Sequence, residues 1–350
     1  MSATMQPQDF LSRRGCIGGL GLLLVAGVVP AAWAATGVVR TSRQMMGTRI
    51  EVVAQGAQAA LAVSRALAEM ARLEGLMSRY RSDSDIAALQ AAAGQRPVSV
   101  APETMAVLQT AQALSRQSSG RFDITVGAYG WSFEPGRPRL PEARELQQQS
   151  TRVGHRRVQL DPLAGQAMLL QAGMKLDLGG VAKLPILSAG MQVLRQHSLE
   201  GAMINGGGDV LVTGHLQGRD WRIGLRNPVK PEQLLGTVSL SEGVVASSGD
   251  YERCFAYKGT RYHHMLDPRT GWPVQGVRGV AMMADEIGPL NGRGAMAMLL
   301  GAPAARQMLG SLPGVHSLLV DAQGQLWQHA PGAPDPGAGD AHQAWLNPVA

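Results

Sequence analysis

The stretch AMINGGGDVLVTG, residues 202–214, sets three glycines between two short apolar segments, 202–205 and 209–213. Each segment has the length and β-branched content of a strand, and the glycines permit a hairpin-like turn between them. Upstream, RVQLD (157–161), AMLLQ (167–171) and KLDLG (175–179) read as strands, and one helix over about 181–198 tolerates Pro185 only near its first turn. Downstream, strands are expected at 221–226, 236–240, 244–247, 253–258, 279–284, 316–320 and 325–328, with helices near 290–300 and 303–311. The earlier chain is helical: 57–80 carries Leu61, Ala68, Leu73, Leu76 and Met77 at helical spacing. SDSDI caps a second short helix, and a third runs over 102–119 from Pro102-Glu103. A strand over 45–54 precedes them, and 121–150 reads as a loop-rich surface excursion. Helices first and mixed short strands after favour an α+β fold, with mixed or antiparallel sheets and flanking helices, over a doubly wound parallel sheet.

The ends stand apart from this pattern. Ser12-Arg13-Arg14, an apolar run from Cys16 to Val29 and the small-x-small Ala32-Trp33-Ala34 form a twin-arginine-type signal peptide over 1–34, too short to span a bilayer. Export to the periplasm follows, with no membrane span once the signal is cleaved. Cleavage removes Arg13, Arg14 and Asp9 and lowers the net charge from +6 to +5; it also leaves Cys254 as the single cysteine, which excludes an internal disulfide and a thiolate metal cluster. Basic residues are scattered without aromatic interleaving, which argues against nucleic acid and leaves anionic ligands open. Residues 35–44 read as a linker, 45–328 as one domain, and the Pro/Gly/Ala-rich 329–350 as a disordered tail with a docking patch at Trp345-Leu346.

Chemistry gathers at the strand ends. RYHHMLDPRTGWPV (261–274) packs two histidines, an aspartate and two arginines among turn formers, more polarity than an unpaired core segment could bury. Gly179-Gly180 leads into a helix carrying Lys183, an arrangement of open backbone N–H groups and positive charge suited to a phosphate, or else merely a tight connection. Gly207, Gly208 and Asp209 allow close approach of a bulky ligand, or simply turn the chain.

MGT (46–48), FDITVG (122–127), LDLGGVAK (176–183), INGGGD (204–209), SSGDYE (247–252) and HMLDPRTG (264–271) occur in this order over nearly all of the mature chain. Together they resemble the FAD:protein FMN transferase, or ApbE-like flavin transferase, family. The resemblance implies an α+β fold around a central FAD cleft. It also implies an enzyme that uses Mg2+ to pass FMN from FAD to a Thr or Ser hydroxyl of an exported flavoprotein, releasing AMP. On this chain it places catalysis at His264 with Asp267, while Asp267 and Arg269 fix the loop. FAD contacts fall on Met46, Tyr80, Phe122, Asp123, Asp177, Gly179, Gly180, Lys183, Gly207, Gly208, Asp209, Ser248, Gly249 and Arg269. His263 stands where the family usually has serine.

The metal positions implied by the resemblance fall on Ala182, Asn291 and Ala295. The family has an aspartate and a threonine four apart on one helical face, whereas LNGRGAMAMLLG (290–301) supplies a neutral amide and no side-chain donor. Asp177, Asp285 or backbone oxygens are the remaining candidates for a metal. Two activities stay open: transfer with an altered metal site, or FAD binding without transfer in a flavin-binding or partner-docking protein.

Overall fold

The computed structural model describes residues 37–134, 136–332 and 346; the signal peptide and nearly all of the tail expected from the sequence lie outside them. Among the described residues no helix is long and apolar enough to cross a membrane. The chain opens with β1 (Val38–Met45), β2 (Thr48–Gln55), α1 (Ala59–Met77), α2 (Asp85–Ala91), β3 (Val98–Ser99) and α3 (Pro102–Gln117). Next come α4 (Ala143–Ser150), β4 (Val158–Asp161), β5 (Gln166–Leu169) and α5 (Lys183–Arg195). The strand-rich half holds β6 (Gly201–Gly206), β7 (Asp209–Gly214), β8 (Trp221–Arg226), β9 (Leu234–Leu240), β10 (Glu242–Gly249), β11 (Cys254–Tyr257), β12 (Thr260–His263) and β13 (Val277–Ala284). The helices α6 (Arg293–Leu300) and α7 (Ala302–Gly310) and the strands β14 (His316–Asp321) and β15 (Leu326–His329) complete it.

The expected α+β class is what the molecule shows. Eight strands in the order β1-β2-β6-β7-β10-β13-β14-β15 form one sheet, every neighbouring pair antiparallel. The chain crosses this sheet in one direction and inserts other elements between successive strands. On one face Ile50, Val52, Ala54, Ile204 and Leu211 meet Ala66, Met70, Leu187 and Met191 of α1 and α5. On the other, Val53, Val210, Val212, Val245, Leu318 and Val320 are covered by Trp221, Ile223, Leu225 and Val238 of the β8–β9 ribbon. Alternate strand residues thus serve two separate cores, as a pleated strand requires. Leu346 packs on the second.

Three expectations change. Residues 35–44 are no linker: from Val38 they form β1, paired along its whole length with β2. KLDLG is no strand; only Lys175 makes an isolated bridge, to Val126, and the segment then turns into α5. The 121–150 stretch is no surface excursion, because it carries Tyr129, Trp131 and Leu146 into a third core with Phe255 and Leu266. Periodicity could not show this, since single aromatics spaced along a loop carry no repeat.

The two-residue turn between β6 and β7 explains its own glycines. Gly207 has φ 67°, and a Cβ there would stand 2.3 Å from Thr48 Oγ1; at Gly208, with φ 98°, it would stand 2.5 Å from Ser247 Oγ. Replacing Gly207 by Ala combines left-handed strain with overpacking and should cost about 2 kcal/mol. The expected readout is a lower urea midpoint with an unchanged slope; an unchanged midpoint would show that the turn is not tight.

Candidate active site

Because each pair in the main sheet is antiparallel, alternate connections emerge at the same end. The register Met45↔Thr48, Ile50↔Gly206 and Gly249↔Gly279 puts the β1–β2 turn, the β6–β7 turn and the whole β10–β13 insertion there together. Arg253, in that insertion, joins them. Its Nη2 donates to the Met46 carbonyl at 3.1 Å. Cβ positions built on Gly47 and Gly179 fall 3.4 and 3.5 Å from its guanidinium, so both glycines lie alongside it. Met46 adopts φ 54°, unusual for a side chain without local polar groups, and its N–H is bound by the Glu74 carboxylate of α1.

The Arg253 carbonyl accepts from the His264 N–H at 3.1 Å and faces His264 Nδ1 at 3.3 Å. A carbonyl only accepts, so the ring hydrogen lies on Nδ1 and Nε2 is left as the basic nitrogen. Burial and then the Arg253 charge push the His264 pKa down to about 3, so the ring is neutral at pH 7. Asp177 stands nearby, bound to Arg79 Nη1 at 2.6 Å and to the Gly179 N–H at 2.9 Å. Burial opposes its ionisation, but Arg79, Gly179 and Arg253 outweigh that and hold its carboxyl below the ordinary range. Tyr80 is 71% exposed beside the Arg79 guanidinium, which lies 5.2 Å from its ring centre. Lys183, first residue of α5, pairs with buried Asp209 at 2.9 Å, and Asp209 also accepts the Ser247 N–H. No side chain caps that helix N-terminus.

The third core clamps the histidine loop. Tyr129 OH donates to the Pro268 carbonyl at 2.6 Å and Trp131 Nε1 to the Gly271 carbonyl at 2.8 Å. Gly271, at φ 74°, would carry a Cβ 2.7 Å from the Tyr129 ring. Phe133 stacks on Trp131 and meets His264 edge-on at 6.4 Å.

The model of the ApbE family matches residues 46–319, most of the chain. This chain belongs to the ApbE family. Its relatives include an FAD:protein FMN transferase of Treponema pallidum (strain Nichols), 32% identical over 300 residues, 79% of this chain and 82% of that protein. Another, from Klebsiella pneumoniae (strain 342), is 34% identical over 236 residues, 67% of this chain and 73% of that protein. Among solved structures, the ApbE protein of Thermotoga maritima superposes with a TM-score of 0.76 at 28% identity, over 83% of this chain and 97% of its own. The flavin transferase ApbE of Vibrio cholerae gives 0.73 at 22%, over 84% and 97%, a likeness of fold.

Within this ApbE frame the expected residues divide. Met46, Asp177, Gly179, Lys183, Asp209 and His264 gather as described, and Phe122 packs against Gly180. Ser248 lies beside Gly294 at the start of α6, and a Cβ on Gly249 would strike the Tyr251 ring at 2.4 Å. Asp123 is structural instead: its carboxylate accepts from Thr125 N, Thr125 Oγ1 and His155 N within 2.8 Å. Asp267 organises its own turn. It binds the Arg269 backbone N–H and guanidinium, and its own backbone carries the turn to Thr270 and Gly271. That pairing ties Arg269 to the loop. Arg79, Glu74 and Arg253 escaped the sequence reading. Arg253 directly follows the SSGDYE motif and Arg79 directly precedes Tyr80, so adjacency was the only signal available.

The residues at the implied metal positions do not suit Mg2+. The Ala182 carbonyl is used by the Ile186 N–H. Asn291 is buried, and Ala295 packs its methyl toward Gly180. Asp285 and Glu286 stay exposed on the preceding loop, and Asp177 is already neutralised by Arg79. Among the described residues no group of three His, Cys, Asp or Glu side chains could hold a metal. A hard divalent cation requires carboxylate oxygens that this turn lacks.

His263 donates Nε2–H to the Val274 carbonyl at 2.9 Å, and burial pushes its pKa down to about 4. With both histidines depressed, the unfolded chain takes up protons below about pH 6.5 while the fold resists them. Stability is therefore full above that pH and falls as pH drops toward 4. Thermal melts should show a lower Tm at pH 5 than at pH 7, and His263→Gln should flatten the slope.

Proposed function

We propose that this chain transfers FMN from FAD to a Thr or Ser hydroxyl of an acceptor flavoprotein. The coarse activity, FAD:protein FMN transfer, is supported by family membership and by relatives at 32% and 34% identity that carry that name. The observation that carries it here is the Arg253–His264 joint, whose guanidinium lies alongside Gly179, four residues before the uncapped N-terminus of α5. A diphosphate seated there meets a guanidinium, open helix N–H groups and a neutral imidazole.

The reaction is phosphoryl transfer. The acceptor hydroxyl oxygen attacks the FMN-side phosphorus, and its proton passes to His264 Nε2. The bond to the bridging oxygen breaks, and that oxygen leaves with the electron pair as part of AMP. His264 is suited to the proton step because it is neutral, held by its Nδ1 hydrogen bond and flanked by Phe133. The exposed Tyr80 ring offers a face to the flavin. Export through the signal at 1–34 would place the enzyme in the periplasm, where an exported acceptor would meet it. FAD binding without transfer is favoured by one observation, the donor-poor turn at Asn291 and Ala295.

Incubation with FAD and an acceptor flavoprotein, followed by denaturing electrophoresis, should show a fluorescent acceptor band. His264→Ala should slow its formation about a hundredfold to ten-thousandfold while FAD still binds. Absence of the band with the parent enzyme, despite FAD uptake by calorimetry, would select the second reading.

A further inference from the structure

Arg79, Lys183 and Arg253 meet at the centre of the site, and Glu252 beside Arg253 is pushed toward its neutral form by burial. Asp177 is taken by Arg79 at 2.6 Å and Asp209 by Lys183 at 2.9 Å. Arg253 forms no ion pair among the described residues. Its hydrogen bond goes to a neutral acceptor, the Met46 carbonyl, and Gly47 and Gly179 lie alongside its guanidinium. A buried or half-buried cation without a carboxylate is costly unless an anion completes it. A guanidinium presents five N–H donors in a plane that fits two phosphate oxygens at once, and arginine stabilises transferring phosphoryl groups elsewhere.

We propose that in this chain Arg253 takes over the charge-neutralising role of a divalent metal, so that FAD binding and FMN transfer proceed without one. The inference rests on the flavin-transferase reading and adds to it which group holds the diphosphate. It joins two independent observations. The turn at 291–295 and the α5 entry offer a carboxamide, a methyl and an already bonded Ala182 carbonyl. A few residues away, an unpaired arginine fixes the backbone of the β1–β2 turn and of the catalytic histidine. A metal ion close to Arg253 would also meet a like charge.

The test measures FAD affinity by fluorescence quenching of the purified protein in EDTA and then with excess Mg2+ or Mn2+, beside the fluorescent-band assay in both buffers. Equal affinity and transfer in the two buffers are expected. Arg253→Gln should weaken FAD about tenfold to a hundredfold in each, the loss of a charge-assisted phosphate contact, with Arg253→Lys in between. The double substitution Asn291→Asp with Ala295→Thr should introduce Mg2+-dependence that the parent lacks. Affinity or transfer of the parent rising about tenfold with added metal overturns the proposal, as does Arg253→Gln binding FAD like the parent. Should Arg253→Gln lose its fold by circular dichroism, Arg253→Lys and the metal titration decide. Absence of FAD binding in every buffer sinks the transferase reading and this inference with it, whereas metal-dependent binding sinks this inference alone.

Discussion

Antiparallel pairing sends the chain back and forth, so every second connection of the main sheet must appear at the same end. The site depends on that constraint. Met46-Gly47, Gly207-Gly208 and the insertion between β10 and β13 come from three distant parts of the sequence, yet strand register alone sets them side by side. The helix α5 starts at this end because it must finish at the other to feed β6. Lys183 consequently arrives beside Asp209 at the head of β7. Arg253 then binds across the gap, holding the Met46 carbonyl with its side chain and His264 with its backbone.

The electrostatics follow from how few carboxylates the site leaves unclaimed. Asp177 and Asp209 are each bound to a cation and a backbone N–H, and both histidines are kept neutral by burial and neighbouring arginines. Such a surface attracts a diphosphate more readily than a divalent cation. The fold superposes on a solved ApbE protein with a TM-score of 0.76, while the turn at Asn291 and Ala295 lacks the side-chain donors the resemblance implies. Fold and charge balance have therefore diverged separately, as they can when a scaffold is held by packing and its chemistry by a few exposed groups.

Catalytic geometry also needs a rigid loop, and the aromatic core supplies it. Tyr129 and Trp131 donate to the carbonyls of Pro268 and Gly271, and Phe133 rests against His264. Asp267 ties the same turn from within through Arg269. Two sets of bonds, one from a remote segment and one local, hold the imidazole so that its Nε2 keeps one direction.

The sequence by itself determined the α+β class and most strand and helix positions, and its motifs singled out Met46, Asp177, Gly179, Lys183, Asp209 and His264. Those features are carried by local periodicity, glycine turns and ordered motifs, which act within a few residues of one another. Only the tertiary structure decided that residues 38–45 pair as an edge strand, that Tyr129 and Trp131 are core, and that Asp123 organises a loop. It alone revealed Arg79 and Arg253 as members of the site. The reason is physical: an arginine on a loop looks the same in sequence whether it faces water or bridges two turns. The difference lies in strand register and burial, which are set by contacts hundreds of residues apart, such as the bond between Arg253 and Met46.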